Sequence, residues 1–385
     1  MIPEGWNRAL MSDGIELLSG RHVEASKCTF QGNGIPYLTG PDDFLGSSIN
    51  ATKFVVEADV LCEPGDILVT VKGSGTGRAI RADRKYCISR QLMAVRSKKW
   101  DVGFIEHVLK MYEGHYSTAA TGLIPGISRV DILDTPVLVP PLHEQRKIAA
   151  ILSTWDRAIE LTEKLLAAKQ KRKQALMQQF LTGKVRLPGF GKDQWKPHRL
   201  GDVASNSARR IGNAGERNLV YSVTNSVGMV PMNDGTIGEN IDRYKVVGNR
   251  DFAYNPMRLN VGSISMWEDD REVLVSPDYV VFRCTKNLDP DFLNHFRKTH
   301  YWRHYVNRAG GGSVRVRIYF KDLAPMPLLL PGRKEQKAIA RVLNCQDREL
   351  ELLQRRAAAL KQQKKGLMQQ LLTGKVRVKP AKEDA

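Results

Sequence analysis

Three short motifs in this sequence combine residues that could do chemistry. GSGTG at 73–77 follows the strand-like run DILVTV, as a glycine-rich loop that holds a cofactor phosphate would. YNPM at 254–257 partly matches the Asn-Pro-Pro-aromatic motif of enzymes that methylate amino groups. PD at 41–42 with DRK at 83–85 loosely resembles a nuclease pattern. The chemistries to weigh are therefore nucleotide binding, methyl transfer and DNA cleavage.

None of these motifs has the context that its chemistry requires. A cofactor fold needs a helix after its glycine-rich loop and an acidic residue about 20 positions on, but the basic, strand-like RAIRADRKYCISR follows here. Met257 and Arg258 stand where the second proline and the aromatic residue belong, and the nuclease match is too short to separate from chance. No Walker A or HExxH sequence occurs, and the five cysteines lack zinc-site spacing. We expect no catalytic residue, metal or cofactor in this chain.

The charge of the chain favours a polyanionic partner. The 385 residues carry a net charge of +18, which points to nucleic acid. A membrane surface would also attract this charge, but no lipidation motif or Trp-rich amphipathic helix supports it. No run of 18 apolar residues and no secretory signal occurs. We therefore expect a cytoplasmic protein of two to three domains with reduced thiols.

The elements that organise the chain are two copies of one segment. Residues 140–186 align with 331–377 without a gap, with identical residues at 23 of 47 positions. The ends of the copies, LMQQFLTGKVR and LMQQLLTGKVR, differ at a single position. Self-similarity at this fixed shift indicates a duplicated unit.

Each copy has the pattern of one long helix. Apolar residues recur at spacings of four and three, as in a coiled coil, and proline and glycine mark the two ends. A helix over about 143–181 would be roughly 55–60 Å long. The residues predicted to form this helical spacer and to bind partners are Trp155, Ile159, Leu176, Phe180, Leu350, Leu353, Leu367 and Leu371.

Chain direction favours antiparallel pairing of the two helices within one chain. The first helix ends where segment 188–330 begins and the second starts where that segment ends, and the termini of a compact domain often lie close together. A parallel coiled coil between two chains is the alternative. Lys173 and Lys364 occupy equivalent seam positions, where a polar residue sets register or partner or marks a frayed, solvated end.

The segments outside the helices are diverged copies of a second unit. GDILVTVKGSGTG (65–77) parallels RDFAYNPMRLNVG (250–262), and ISRQLMAVR (88–96) parallels VSPDYVVFR (275–283). Short Val/Ile/Tyr-rich runs between Gly, Asn and Pro turns predict β-rich domains, with one short helix near 102–112 and near 290–300. The predicted fold class is therefore α+β. Two β-rich domains are separated by two long helices in an intramolecular antiparallel coiled coil, with pseudo-twofold symmetry.

Over nearly its whole length the sequence resembles the specificity subunit of a type I DNA restriction–modification system. The resemblance is carried by PPLHEQRKIAAIL (140–152), PGRKEQKAIARVL (331–343) and the LMQQ-LTGK ends, although Gly332 stands where the family often has proline. It implies an order of segments along the chain: target recognition domain 1 at 1–141, helical spacer 1 at 142–187, target recognition domain 2 at 188–331, helical spacer 2 at 332–377 and a charged tail at 378–385.

The resemblance also implies a function and partners. A non-catalytic subunit of this kind reads a bipartite, asymmetric DNA site and directs other subunits to it. The implied partners are double-stranded DNA, two modification (methyltransferase) subunits that bind S-adenosylmethionine, and restriction subunits that use ATP and Mg. Two other functions stay open: a non-catalytic assembly scaffold, and a specificity subunit of another multi-subunit DNA modification system.

Base contacts are expected from loops of the β-rich domains, because side chains that reach the groove edges read sequence. The helical repeats hold ten and twelve Lys/Arg, each against four acids, so the domains are only mildly basic. The runs KQKRK (169–173) and KQQKK (361–365) could follow phosphates, face acidic partners or keep the helices soluble. The predicted DNA-binding residues are Lys72, Ser74, Thr76, Arg78, Arg81, Arg84 and Arg129 in the first domain and Asn255, Arg258, Asn260, Arg315 and Arg317 in the second.

Overall fold

The computed structural model describes residues 2–46, 48–73, 75–119, 126–191, 193–212, 215–309 and 317–378. They form two compact units: unit 1 holds Met1–Leu165 and Leu353–Ala385, and unit 2 holds Leu166–Leu352. Each unit therefore contains one β-rich domain together with part of both long helices.

The β-rich domain of unit 1 is made of short strands. They are β1 (Asn7–Leu10), β2 (Ile15–Ser19), β3 (Cys28–Thr29), β4 (Ile35–Leu38), β5 (Phe44–Leu45), β6 (Ser48–Ile49), β7 (Lys53–Val55), β8 (Leu61–Cys62), β9 (Ile67–Thr70), β10 (Ala79–Arg81), β11 (Tyr86–Ile88), β12 (Leu92–Ser97) and β13 (Pro136–Val139). One sheet has the order β10-β9-β12-β2 and a second has the order β3-β7-β4-β11-β8, while β1 pairs with β13 and β5 with β6. β9 (ILVT) is buried on both faces, as its three consecutive apolar residues favour.

Two helices complete this domain, and a third leads out of it. They are α1 (Val102–Ala119), α2 (Arg129–Leu133) and α3 (Leu142–Phe180). Phe104 and Val108 of α1 lie in the same apolar core as Ile148 of α3. The core of unit 1 is therefore shared between the sheet, α1 and the long helix.

Unit 2 repeats this arrangement. Its strands are β14 (Lys196–Arg199), β15 (Ala204–Ser207), β16 (Tyr221–Thr224), β17 (Gly228–Pro231), β18 (Lys245–Val247), β19 (Phe252–Tyr254), β20 (Ile264–Met266), β21 (Val273–Val275), β22 (Val280–Cys284) and β23 (Pro327–Leu330). Its helices are α4 (Leu200–Val203), α5 (Pro290–Phe296), α6 (His300–Ala309) and α7 (Phe320–Leu323), followed by the long α8 (Arg333–Leu371). The sheet order β20-β19-β22-β15 matches β10-β9-β12-β2 of unit 1, and β14–β23 matches β1–β13. The predicted duplication of the β-rich segments is therefore confirmed in the strand topology.

The two long helices have the predicted seam, and α3 lies within one residue of the predicted range 143–181 at each end. α3 and α8 contain 39 residues each, which corresponds to about 58 Å. Both are followed by a glycine in the left-handed region, with φ of +72° at Gly183 and +69° at Gly374, which ends a helix well. The predicted seam positions are the buried or half-buried ones along both helices. Within the described ranges, no helix combines the length and the apolar content needed to cross a bilayer.

Within each unit the two helices run antiparallel, as ion pairs between them show. In unit 1, Lys364 pairs with Asp156, and Lys361 pairs with Glu163 further along α3. In unit 2, Lys173 with Asp347 is the equivalent of the Lys364–Asp156 pair, and Lys169 pairs with Glu349 further along the helices. These are the pairs that an antiparallel arrangement within one chain requires. Lys364 is 8% exposed, so this seam lysine is buried and ion-paired and does not belong to a frayed end.

Candidate nucleic-acid interface

A buried aspartate, paired with an arginine, fixes the strand that leads to the candidate loop of unit 1. Asp66 lies immediately before β9 and is 4% exposed. Its carboxylate accepts hydrogen bonds from Arg96 Nε at 3.0 Å and Nη2 at 2.7 Å, and from the backbone N–H of Glu63 at 2.8 Å. A bidentate pair of this kind fixes the geometry of both side chains. It therefore holds the start of β9 against β12, at the opposite end of the strand from the loop at 71–78.

The glycine-rich stretch of this loop is required for the conformation of the backbone. Gly77 has a φ of +91°, and a Cβ at this position would lie 2.8 Å from the carbonyl oxygen of Glu113 in α1. Thr76 is buried, and its Oγ1 donates to the carbonyl of Gly73 at 2.7 Å. GSGTG therefore shapes a tight turn against α1. Ser74 lies outside the described residues.

The predicted arginines of unit 1 all have partners inside the domain. Arg78 Nη2 donates to the carbonyl of Phe44 at 2.9 Å, which ties the loop to the β5–β6 hairpin. The other contacts are Arg81 with Glu106 at 2.6 Å, Arg84 with the Tyr86 hydroxyl at 3.3 Å and Arg129 with the carbonyl of Leu17 at 2.8 Å. These bonds position loops and helices. Lys72 is exposed and makes no ion pair within the part of the chain that the structure describes.

The segment at 126–129 lies beside this loop. The N–H of Ile127 donates to the carbonyl of Val71 at 2.9 Å, and Lys72 forms an isolated bridge with Gly126. We call residues 71–78 together with 126–129 the unit 1 loop surface. It brings together two of the stretches from which the sequence predicted DNA contacts.

Unit 2 has an equivalent aspartate–arginine pair and a different loop. Asp251 is 2% exposed, and its carboxylate accepts from Arg283 Nε at 2.9 Å and Nη2 at 2.8 Å. In the loop that follows, Asn255 and Asn260 accept from the backbone two and one residues on, at 2.9 and 3.0 Å. Leu259 is buried and anchors the loop from inside. The loop therefore has a defined conformation of its own.

A second segment joins this loop, as in unit 1. The N–H of Ile318 donates to the carbonyl of Pro256 at 3.1 Å, which is the counterpart of the Ile127–Val71 bond. We call residues 255–262 together with 317–318 the unit 2 loop surface. Arg258 and Arg317 are exposed on it and form no ion pair with any residue in the described ranges. Arg315 lies outside those ranges.

A turn that the sequence did not predict as part of the site borders the unit 2 loop surface. Ser263 Oγ donates to the carbonyl of Val223 at 2.6 Å, and a Cβ on Gly262 would lie 2.7 Å from Asn225 Oδ1. The turn between β16 and β17 is therefore packed against the loop, and its Val227 is 74% exposed. The run TNSVG does indicate a hairpin turn, but the long-range contact with residues 262–263 has no local signal.

A buried histidine joins each β-rich domain to the helices. His107 on α1 is 1% exposed, and its Nε2 lies 3.4 Å from Ser153 Oγ on α3. Burial, together with the charge of Lys364, lowers the pKa of His107 to about 4. His295 on α5 lies 2.7 Å from Asn344 Oδ1 on α8, and burial lowers its pKa to about 4 as well. Both imidazoles are therefore neutral near pH 7.

The repeated motif residues form a clasp at the helix ends of each unit. In unit 2, Arg186 of TGKVR donates from Nε and Nη2 to the Glu335 carboxylate, each at 2.6 Å. In unit 1, Arg377 Nη2 donates to Glu144 Oε1, and Trp6 Nε1 donates to Oε2 of the same carboxylate at 3.2 Å. Both glutamates are at most 3% exposed. We call the pairs Arg186–Glu335 and Arg377–Glu144 the helix-end clasps, because each joins the end of one repeat to the start of the other.

The glutamine after each of these glutamates bonds to the β-rich domain. Gln145 Oε1 accepts from the N–H of Asp101, and its Nε2 donates to the carbonyl of Pro140, both at 2.8 Å. The unit 2 counterparts are Gln336 with the N–H of Asp289 at 2.7 Å and with the carbonyl of Pro331 at 2.9 Å. The EQ motif therefore holds the start of each helix to its domain.

The residues predicted to bind partners lie along the helix seam. Four of them are half-buried between the helices, and four join or border the apolar cores. The first group is Trp155, Ile159, Leu350 and Leu353, and the second is Leu176, Phe180, Leu367 and Leu371. Their packing inside this chain is clear from the structure, and contact with another subunit stays a prediction.

Comparison with known sequences supports this picture. Residues 3–169 match the family described as type I restriction modification DNA specificity domain. The chain is similar to the type I restriction enzyme MjaVIII specificity subunit of Methanocaldococcus jannaschii, with 24% identity over an alignment of 406 residues that covers 98% of this chain and 94% of that one. It is also similar to the putative type I restriction enzyme MjaX specificity subunit of the same organism, with 27% identity over 66% of this chain and 62% of that one.

Solved structures share the fold. The S subunit of a type I restriction–modification system from M. genitalium superposes with a TM-score of 0.65 at 14% identity, over 96% of both chains. A second chain comes from a structure that concerns complex assembly and conformational transition of the type I R-M system. It superposes with a TM-score of 0.58 at 18% identity, over 98% of this chain and 100% of that one.

Proposed function

We propose that this chain, which belongs to the family of type I restriction–modification specificity subunits, reads a bipartite, asymmetric DNA site and directs methyltransferase and restriction subunits to it. Each β-rich domain reads one half of the site. The chain itself is a recognition subunit and performs no catalysis.

The observation that supports this proposal is that equivalent strands in the two units lead to loops with different side chains. The Asp66–Arg96 and Asp251–Arg283 pairs hold equivalent strands in the two units. On these strands the unit 1 loop surface presents Lys72, whereas the unit 2 loop surface presents Arg258 and Asn260. Different donor and acceptor sets read different base edges. A support that is repeated in both units, with different exposed side chains, is therefore what an asymmetric site requires.

Two modification subunits are proposed to dock on the repeated helix ends. The last eleven positions of the repeats are identical at ten, whereas the preceding 36 are identical at 13. Packing and the clasps explain only the inward-facing part of this identity. An outward-facing part consists of residues that are exposed and whose side chains make no hydrogen bond or ion pair within the described ranges: Gln179, Lys184 and Val185, with their copies Gln370, Lys375 and Val376. Two identical exposed surfaces fit two copies of one partner.

This docking can be tested by the stoichiometry of the complex. Lys184→Glu with Val185→Asp is expected to remove one of two bound modification subunits, and Lys375→Glu with Val376→Asp the other, in native mass spectrometry of the purified complex. Lys365→Glu, at an exposed helix position outside the repeated end, is the matched control and keeps both. Two subunits retained after all four substitutions would contradict docking at these ends.

The proposal assigns the cofactors to the partners. S-adenosylmethionine binds to the modification subunits, and ATP and Mg bind to the restriction subunits. This chain supplies the DNA contacts and the surfaces on which those subunits assemble.

The function as a whole is tested by single-molecule methylome sequencing. A host expresses the chain with its modification subunit, and a matched host lacks only this gene. A split motif that disappears with the gene is the expected result and gives both half-sites and their spacer. An unchanged methylome beside a demonstrably active modification subunit would contradict sequence reading by this chain.

A further inference from the structure

Two exposed valines, one in the unit 2 loop surface and one in the turn that borders it, have no role inside the domain. Val227 is 74% exposed and Val261 is 55% exposed. Single exposed apolar residues are ordinary on protein surfaces. These two, however, occupy the tips of two neighbouring turns, in positions where a polar residue would suit solvent better.

The two turns are held together and are individually rigid. Ser263 Oγ donates to the carbonyl of Val223, and Gly262 lies directly against Asn225. In the first turn, Thr224 Oγ1 accepts from the N–H of Val227 at 3.2 Å and donates to the carbonyl of Gly228 at 3.1 Å. None of these bonds involves a valine side chain, so the turns do not need valine for their shape.

The second turn is fixed in the same manner. The N–H of Gly262 donates to the carbonyl of Leu259, and the N–H of Ser263 donates to the carbonyl of Arg258, both at 3.0 Å. With Leu259 buried beneath it, this turn presents Val261 from a backbone that is already ordered. Preformed loops of this kind lose little conformational entropy on binding.

The surroundings of the valines suit DNA better than an apolar protein partner. Arg258 and Asn260 are exposed in the same turn as Val261, and Arg317 is exposed nearby through the Ile318–Pro256 bond. A protein interface core is depleted of unpaired charge. Two guanidinium groups without an ion pair in the described ranges, next to small apolar tips, match a phosphate backbone and the groove edges behind it.

We propose that Val227 and Val261 read thymine in the half-site recognised by unit 2, by contact with its 5-methyl group in the major groove. This inference rests on the proposed function. The thymine methyl is the apolar feature of the major-groove edges, and apolar side chains recognise it there. Arg258 and Asn260 supply hydrogen bonds to neighbouring bases or phosphates. The half-site of unit 2 therefore contains at least one A·T pair that is recognised through a methyl group.

The test uses the loss of that methyl group from DNA. The full chain in complex with its modification subunit selects sequences from a random duplex pool that is amplified either with dTTP or with dUTP, since deoxyuridine pairs as thymidine does but lacks the 5-methyl group. The wild-type complex is expected to enrich a split motif from the thymine pool. At one or more thymine positions of the unit 2 half-site, enrichment from the uracil pool falls about fourfold, the factor that corresponds to ~0.8 kcal/mol for one buried methyl group.

Valine variants assign the effect to the two side chains. Val227→Ala with Val261→Ala is expected to enrich the same weaker motif from both pools. Val56→Ala, which changes a 79% exposed valine of the other β-rich domain, is the control and keeps the wild-type difference between pools in this half-site.

Each other outcome has a definite meaning. Equal enrichment from both pools by the wild-type complex overturns the methyl readout and leaves the proposed function intact, as does a difference that persists in the double variant. A double variant that selects like the wild type but loses its modification subunit assigns the valines to a protein interface and overturns the inference. A complex that selects no motif from either pool overturns the proposed function itself.

Discussion

At the scale of single residues, the helix-end clasps depend on carboxylates that are out of contact with solvent. Glu335 is 3% exposed and Glu144 is 2% exposed, and each has an arginine of the opposite repeat end as its cation. Removing one partner of a buried pair costs more than the pair contributes, because the remaining charge stays buried. The arginine of TGKVR is therefore expected to contribute strongly to the stability of the fold, although it lies at the end of the motif.

Arg186→Ala is expected to lower the free energy of unfolding by about 1–3 kcal/mol, measured by urea denaturation of the full chain. Lys184→Ala, two positions away and exposed, is the matched control and should change it by less than about 0.5 kcal/mol. Glu335→Gln in the Arg186→Ala background removes the uncompensated charge and should restore part of the loss. Equal stability of Arg186→Ala and the wild type would contradict the clasp.

His107 and His295 make stability depend on pH. Their pKa in the folded chain is about 4, because burial disfavours the charged form, whereas an unfolded histidine has a pKa of about 6.5. The unfolded state therefore binds protons first as the pH falls. This contribution to stability is complete above about pH 6.5 and is lost as the pH falls towards 4.

The measurement is the urea midpoint of the full chain between pH 7 and pH 4. We expect His107→Gln with His295→Gln to flatten the decline of this midpoint relative to the wild type, because neither glutamine titrates. His143→Gln changes an exposed histidine at the start of α3 and serves as the control. A decline of the same steepness in the double variant would show that other groups cause it.

At the scale of elements, two glycines of α8 and its end have opposite roles. Gly374 has a φ of +69°, and a Cβ on it would lie 2.5 Å from Pro3 Cγ. Gly366 is inside the helix, where a Cβ would meet nothing within 4 Å. Glycine is the better residue in the first place, and alanine is the better residue in the second.

Gly366→Ala is therefore expected to raise the free energy of unfolding by about 0.5–1 kcal/mol, and Gly374→Ala is expected to lower it by more than about 1 kcal/mol. Thermal and urea denaturation of the two variants would measure both changes. The same sign for both variants would contradict the assignment of Gly374 to a required left-handed helix end.

Some elements and contacts of the structure could be predicted from the sequence, and others could not. The heptad seam and the proline and glycine signals predicted α3 and α8 closely, because these signals are local. The duplicated Asp66 and Asp251 segments were recognisable as equivalent, but their bonds to Arg96 and Arg283 were not, because they join different strands. The helix predicted near 290–300 is two helices, α5 and α6, with Arg297–Thr299 between them, whereas α1 is continuous.

The loop surfaces were predictable only in part for the same reason. The residue types of Lys72, Arg258 and Arg317 suggested DNA contact, and the structure brings the last two together. Arg78 has the same residue type, yet it donates to the carbonyl of Phe44, 34 positions away. Val227 was missed because exposure of an apolar side chain leaves no pattern in the sequence. DNA contact by all of these residues stays a prediction, as does the pseudo-twofold symmetry.

At the scale of the whole molecule, helix length is expected to set the spacing between the half-sites. Insertion of seven residues after Lys164 and after Arg355, which are equivalent positions of the repeat, keeps both seams in phase. It lengthens each helix by about 10 Å, which corresponds to about three base pairs at 3.4 Å per step. Methylome sequencing should show a spacer longer by about that number. Insertion in only one helix is the control and should reduce methylation, because the seams no longer match.

An unchanged spacer in the doubly extended protein would mean that helix length does not determine the distance between half-sites. Loss of all methylation in that protein, with normal binding of the modification subunit, would mean instead that the enzyme complex cannot use a wider site.

The composition of the two units has a consequence for how the chain is made. Unit 2 consists of the uninterrupted stretch Leu166–Leu352, whereas unit 1 combines Met1–Leu165 with residues from Leu353 onward. During synthesis on a ribosome, the β-rich domain of unit 1 emerges before that of unit 2 but must wait for its second helix segment, which is translated after the whole of unit 2. The β-rich domain of unit 2 has all the segments that pack against it once residue 352 has left the ribosome. Folding of this protein should therefore be completed in the reverse of the order in which its two domains are synthesised, and a nascent chain that stalls before residue 353 should expose the apolar face of its first domain to chaperones.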